Sequence, residues 1–152
     1  MIQPAIILTI LLQLPICYGE EKDISRLEVI SKAIGNNCNT LNDAAALITI
    51  GTFESAWCAD VGSGKKKGGN GLGYWQIEPA SNRVKPFVGI TLEDITHAAG
   101  EALWIWHHSF QCGSSISSRF TAYAGLKCIK WSGANKRVKF YNWAYWQLNK
   151  NS

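Results

Sequence analysis

Residues 40 to 57 read Thr40-Leu41-Asn42-Asp43-Ala44-Ala45-Ala46-Leu47-Ile48-Thr49-Ile50-Gly51-Thr52-Phe53-Glu54-Ser55-Ala56-Trp57. Thr40 followed by Asp43 is a capping box: the hydroxyl accepts from a first-turn amide and the acid reaches back. The apolar run behind it predicts a helix over 41–55. Glu54 is the only carboxylate between Asp43 and Asp60. Apolar surroundings disfavour an ionised carboxylate, and the negative end of a helix dipole pushes the same way, as a general acid working near neutrality requires. An arbitrary helical glutamate is more often a solvated surface residue, so the residues downstream of Glu54 have to decide.

A loop of Gly, Lys, Ser and Asn runs from Gly62 to Gly71 and enters Gly71-Leu72-Gly73-Tyr74-Trp75-Gln76-Ile77-Glu78-Pro79-Ala80-Ser81; later the chain reads Ala122-Tyr123-Ala124-Gly125. A helix ending in Glu-Ser, a polar loop, a Gly-x-x-Gln-Ile segment closed by Pro-Ala-Ser, and this tyrosine resemble the lytic transglycosylase and goose-type lysozyme superfamily over Leu41 to Gly125. The resemblance implies a mainly α, lysozyme-like α+β fold: a single domain of about six helices with a small β-hairpin beside the active-site cleft. It implies Glu54 as the catalytic acid, with the Gln76 segment and Tyr123 lining the sugar cleft. The family usually reads Gly-Leu-Met-Gln-Ile where this chain has Gly73-Tyr74-Trp75-Gln76-Ile77, and Ala-Tyr-Asn-Ala-Gly where this chain lacks the asparagine. Both departures fall on the cleft and bear on substrate preference and product.

The implied reaction cleaves the β-1,4 bond between N-acetylmuramic acid and N-acetylglucosamine in peptidoglycan. Glu54 supplies the proton for the departing oxygen. In the transglycosylases that the chain resembles, the substrate's acetamide assists, the same glutamate returns as base, and a 1,6-anhydro sugar leaves; this outcome is favoured over hydrolysis. Hydrolysis with inversion needs a second carboxylate, for which Asp60 and Glu78 are the candidates. Ser55, Gly73, Trp75, Gln76 and Tyr123 are the expected substrate contacts, Ser55 also serving to bond the Glu54 carboxyl or cap the helix end. Trp75 is the one tryptophan expected against sugar; Trp57 is expected to shield the acid, and Trp104, Trp106 and Trp143 to pack inside. The alternatives are a non-catalytic cell-wall-binding domain and a membrane-active basic protein.

The N-terminus differs in kind. Ala5 to Ile16 is almost wholly apolar, and Cys17-Tyr18-Gly19 precedes a plausible cut before Glu20, so residues 1–19 read as a secretory signal peptide, with an uncleaved anchor as the alternative. Residues 20–152 are then the catalytic domain, exported to the periplasm or beyond. Export leaves Cys38, Cys58, Cys112 and Cys128, which predict two disulfides. A helix between Cys38 and Cys58 holds those two apart, favouring bridges that tie them to Cys112 and Cys128.

Residues 1–101 carry eight basic and eleven acidic side chains, and residues 102–152 seven basic and none acidic, which together give the formal net charge of +4. An exported chain rarely meets nucleic acid, so the basic C-terminal third suits an anionic wall or membrane surface, and ordinary solvated charge is the plainer reading. His97, His107 and His108 lack ligand spacing and no close Cys-x-x-Cys pair exists, so no metal and no cofactor is expected. Nothing in the sequence asks for a second subunit, and the expected state is a monomer. Further helices are predicted from Asp23 to Ile34, from a second capping box at Thr91-Leu92-Glu93-Asp94 to Phe110, from Ser117 to Ala124, and from Gly133 to Leu148. In the last of these, Ala134, Val138, Tyr141, Tyr145 and Leu148 are expected inward, and Lys136, Arg137 and Lys139 on the basic surface.

Overall fold

A computed structural model of the chain describes residues 2–66, 71–78, 87–129 and 131–152. Lys67, Gly68, Gly69 and Asn70 of the loop from Gly62 to Gly71, and Pro79-Ala80-Ser81 of the motif, lie outside the described residues. The fold is mainly helical. Among the described residues seven helices follow one another: α1 (Pro4–Leu11), α2 (Ile24–Asn37), α3 (Leu41–Ser55), α4 (Ala59–Gly62), α5 (Leu92–His107), α6 (Ile116–Tyr123) and α7 (Ser132–Lys150).

Helix α3 occupies the middle. Its residues Ala44 to Gly51 are all buried, and a helix apolar on every side is stable only when other elements surround it. Helices α7, α5 and α2 do so, while α2 also packs on α5 and α1. The first turn of α3 is fixed by polar contacts. Thr40 Oγ1 accepts from the Asp43 amide at 3.1 Å. The Asp43 carboxylate does not reach back as a capping box would have it; its Oδ1 meets His107 Nε2 of α5 at 2.8 Å. Tyr141 of α7 donates to Asn42 Oδ1 at 2.7 Å.

The expected β-hairpin is not formed. The described residues contain no strand, only an antiparallel bridge in which Leu72 and Ile77 exchange two hydrogen bonds of 3.0 Å. The cause is in the side chains: Tyr74 and Trp75 are both buried, whereas neighbours on a strand point to opposite faces. A tight turn can send both inward, and Gly73 and Gln76 supply it with φ of 73° and 50°. Gly73 has no alternative, because a Cβ there would sit 1.9 Å from the Phe87 carbonyl oxygen.

The disulfide expectation is corrected. Cys17 bridges Cys58, Cys112 bridges Cys128, and Cys38 is a buried free thiol. The 16-residue separation of Cys112 and Cys128 lets the chain turn back between α5 and α7, so neither was available to Cys38 or Cys58. Cys38 and Cys58 do lie beyond opposite ends of α3, as the helix length requires. Cys17 comes from the segment read as an export signal. In this structure that segment contains α1, whose Ile7, Ile10 and Leu11 are buried against α2 and α7. The Ile2 amide donates to the Cys38 carbonyl at 3.0 Å, passing over Gly35, where a Cβ would meet Ile2 O at 2.5 Å. Two disulfides fit an oxidising, exported location. No helix among the described residues is long and apolar enough to cross a membrane.

Candidate active site

Glu54 stands in the last turn of α3, and the backbone beyond it is held in an uncommon shape. Ala56 and Trp57 both take left-handed conformations, with φ of 49° and 59°, which non-glycine residues adopt only when their surroundings compel it. Ser55 Oγ donates to the Gly51 carbonyl at 2.9 Å and accepts from the Trp57 amide at 3.1 Å. Arg26 of α2 donates to the Trp57 carbonyl at 2.6 Å and to the Tyr74 hydroxyl at 3.0 Å. The chain therefore doubles back, and the Trp57 indole lies against Gly51, where a Cβ would approach Cη2 to 2.1 Å. Trp57 Nε1 donates to Thr52 Oγ1 at 3.0 Å.

Trp75 meets Trp57 edge to face at 5.7 Å between ring centres, and Tyr74 packs on both. This aromatic wedge fixes the 72–77 turn to α3. Trp75 is 0 % exposed, and its Nε1 donates to the Leu47 carbonyl at 3.0 Å; it is a core residue here, and the expectation that its ring meets sugar is corrected. Gln76 Nε2 donates to the Gly73 carbonyl of its own turn at 2.8 Å. Ser55 caps the helix end and is buried; both its bonds go to backbone, none to the Glu54 carboxyl.

Tyr123, at the end of α6, donates to the Trp75 carbonyl at 2.9 Å, so the turn is tied to α6 as well as to α3. Burial pushes the Tyr123 phenol well above its ordinary range; the negative charge of Glu54 adds to this, and the positive charge of Arg137 opposes it. Tyr123 is thus a neutral hydrogen-bond donor within electrostatic reach of Glu54.

The setting of Glu54 differs from the purely apolar one expected. Arg137 Nη1 of α7 donates to Glu54 Oε1 at 2.9 Å, with the arginine side chain 9 % exposed and that of the glutamate 20 %. The guanidinium lies 5.3 Å from the Phe53 ring centre and 5.0 Å from that of Trp131, both within cation–π range. Arg137 Nε is buried and has no partner among the described residues. The Glu54 carboxylate is accessible on one side and anchored on the other. Of the possible second carboxylates, Asp60 is exposed in the first turn of α4, and Glu78 is exposed just after the 72–77 turn.

The structure brings together Glu54, Tyr123 and the Trp75 backbone, and places Gly73, Trp75 and Ser55 as supports. Arg137 lies inside rather than on the basic surface expected of it, and that expectation is corrected. Its signal was present in the sequence: Ala134, Arg137, Tyr141, Ala144 and Leu148 succeed one another at spacings of three and four, and all are buried on one face of α7. Trp104, expected inside, is 41 % exposed and stacks on His108 at 3.9 Å. The described residues hold no group of three or more side chains suited to a metal ion. In comparison with known proteins, the chain matches no family model, no curated protein and no solved structure.

Proposed function

We propose that the chain is a peptidoglycan-cleaving muramidase in which Glu54 is the general acid and then the general base. The observation that carries this reading is the placement of one partly exposed carboxylate at the end of a buried helix, anchored through Oε1 to Arg137 and within electrostatic reach of the part-buried Tyr123. Protonated Glu54 gives its proton to the glycosidic oxygen as the bond from that oxygen to C1 of the muramoyl residue breaks. The substrate's acetamide oxygen shares the positive charge left at C1. The carboxylate then removes the proton from the O6 hydroxyl of the same sugar, O6 closes on C1, and a 1,6-anhydro end leaves with Glu54 reprotonated. Arg137 Nη1 holds Oε1 and leaves Oε2 as the oxygen that carries the transferred proton. Gln76 and Tyr123 fix the wall of the cleft through the turn they hold. No second carboxylate is required; hydrolysis using Asp60 or Glu78 is the competing outcome.

The test is lysis of chloroform-permeabilised Gram-negative cells monitored by turbidity, comparing the wild-type chain with Glu54→Gln. Glutamine keeps an acceptor for Arg137 Nη1 while removing the exchangeable proton, so the variant should fold and lose lysis by at least about a hundredfold. Equal lysis by both would sink the reading in favour of membrane disruption. Mass spectrometry of the fragments should find anhydro rather than reducing muramoyl ends.

A further inference from the structure

Five residues of α7, Lys136, Lys139, Trp143, Trp146 and Lys150, succeed one another at spacings of three, four, three and four, which sets them in one row along a helix. The row lies on the side away from the core, since Ala134, Arg137, Tyr141, Ala144 and Leu148 fill the inward side. Lys136, Lys139 and Lys150 are exposed, and Trp146 is 55 % exposed with Lys150 Nζ 4.1 Å from its ring centre. Trp143 is half-buried. Its ring continues to Phe140 at 5.4 Å, and Phe140 meets Phe53 at 5.7 Å, itself 39 % exposed. The row is about 21 Å long at 1.5 Å per residue, with lysines at both ends and rings between them.

Solvation accounts for the lysines but not for the tryptophans between them, because contiguous exposed rings mark a surface that something covers. A bilayer interface suits both kinds of side chain. An indole lies there with its apolar body at the acyl boundary and its N–H among the head groups, while lysine stems follow the apolar surface and bring their ammonium groups to phosphate. The charge is one-sided. Helix α7 carries no acidic residue, and none follows Glu101 in the chain. Glu54, which meets α7, is already bonded to Arg137 on the inward side. Helix α1 packs beside α7, and residues 1–19 hold no charged side chain, so that neighbour adds no repulsion towards an anionic surface. A soluble polyanion would engage the lysines and leave the rings in water, whereas an anionic bilayer takes both.

We propose that the outer face of α7 docks on the surface of an anionic phospholipid bilayer, with Trp143 and Trp146 at the level of the head groups and Lys136, Lys139 and Lys150 on lipid phosphates. The attachment is peripheral, since no helix among the described residues is long and apolar enough to cross a membrane. Docking uses a different side of α7 from the one that carries Arg137, so the Glu54–Arg137 pair is left in place.

The experiment sediments the full chain at physiological salt with vesicles of phosphatidylcholine alone and with vesicles of equal parts phosphatidylcholine and phosphatidylglycerol. The expected result is partition into the anionic vesicles, weakened about fivefold in each of Lys136→Gln, Lys139→Gln and Lys150→Gln, the weight of one cation near an anionic leaflet. Trp146→Gln leaves the charge unchanged and should also weaken partition about fivefold, because less apolar surface is buried. All four side chains face solvent, so each variant should melt with the wild type. Failure to bind the anionic vesicles, or binding that none of the variants changes, overturns the proposal. So does partition that depends on the lysines but not on Trp146 and is competed away by soluble polyphosphate, since that marks a site for soluble polyanions. The vesicles contain no glycan, and the outcome is therefore independent of whether Glu54 cleaves peptidoglycan.

Discussion

A guanidinium seated between two aromatic rings keeps its charge, so a carboxylate has to answer it. In this chain Glu54 answers Arg137 from 83 residues away. Removing one member of a buried ion pair strands the other, at a cost of about 3–5 kcal/mol when both are fully buried. Glu54 retains some access to water, so Arg137→Ala should lower the unfolding free energy in urea by about 2 kcal/mol, towards the smaller values of exposed pairs. Arg137→Lys should recover only part of the loss, since an ammonium restores the charge but not the flat contact with Phe53 and Trp131. A lysine variant as stable as wild type would mean that the aromatic contacts contribute nothing. Lysis should fall in both variants as the carboxylate loses its anchor.

At the scale of the element, α3 is governed by what lies against it. Gly51 would ordinarily be improved by alanine, which favours a helix interior by about 1 kcal/mol. Here the new Cβ would meet three atoms of the Trp57 ring within 2.6 Å, and that ring is fully buried with its Nε1 committed to Thr52. Overpacking of this kind costs about 1–3 kcal/mol, so Gly51→Ala should lower the melting temperature and shift tryptophan emission; a stabilised variant would show that the doubled-back chain can give way. The bounds of α3 were legible because Thr40, the apolar run and Ser55 all act locally. The 72–77 turn was not, because β-branched and aromatic composition reads as strand, and only the joint burial of Tyr74 and Trp75 against α3 excludes it. On helix α7, Ala134, Tyr141 and Leu148 are buried as expected, and Arg137 was misplaced for a related reason: hydropathy alone sends an arginine to the surface, and its inward course depends on a partner encoded far upstream. Glu54 and Tyr123 were proposed from their neighbours in sequence, whereas the contact of Arg137 with Trp131 exists only once the chain is folded.

For the whole molecule, stability should fall at alkaline pH. Burial raises the Cys38 thiol from its ordinary 9.0 to about 12, with the charge of Asp43 adding to it. The unfolded chain then gives up this proton above pH 9 while the folded chain holds it to about 12, so the contribution is whole below pH 9 and disappears between those limits. Tyr123, raised by burial, acts in the same sense above the ordinary phenol range. Three units correspond to on the order of 4 kcal/mol, and the melting temperature should drop steeply between about pH 9 and pH 11 and less steeply in Cys38→Ala. Equal slopes in the two chains would assign the loss to other groups. The buried position of this sulfur has another outcome, since five cysteines cannot all find mates. Cys38 falls in sequence between the partners of the Cys17–Cys58 bridge, where it is the natural competitor for either. A sulfur that cannot ionise does not attack, so sealing it withdraws it from exchange. The N-terminal segment that delivers Cys17 to its mate also bonds Cys38, the Ile2 amide to the Cys38 carbonyl, so one docked segment holds both the partner and its rival in place.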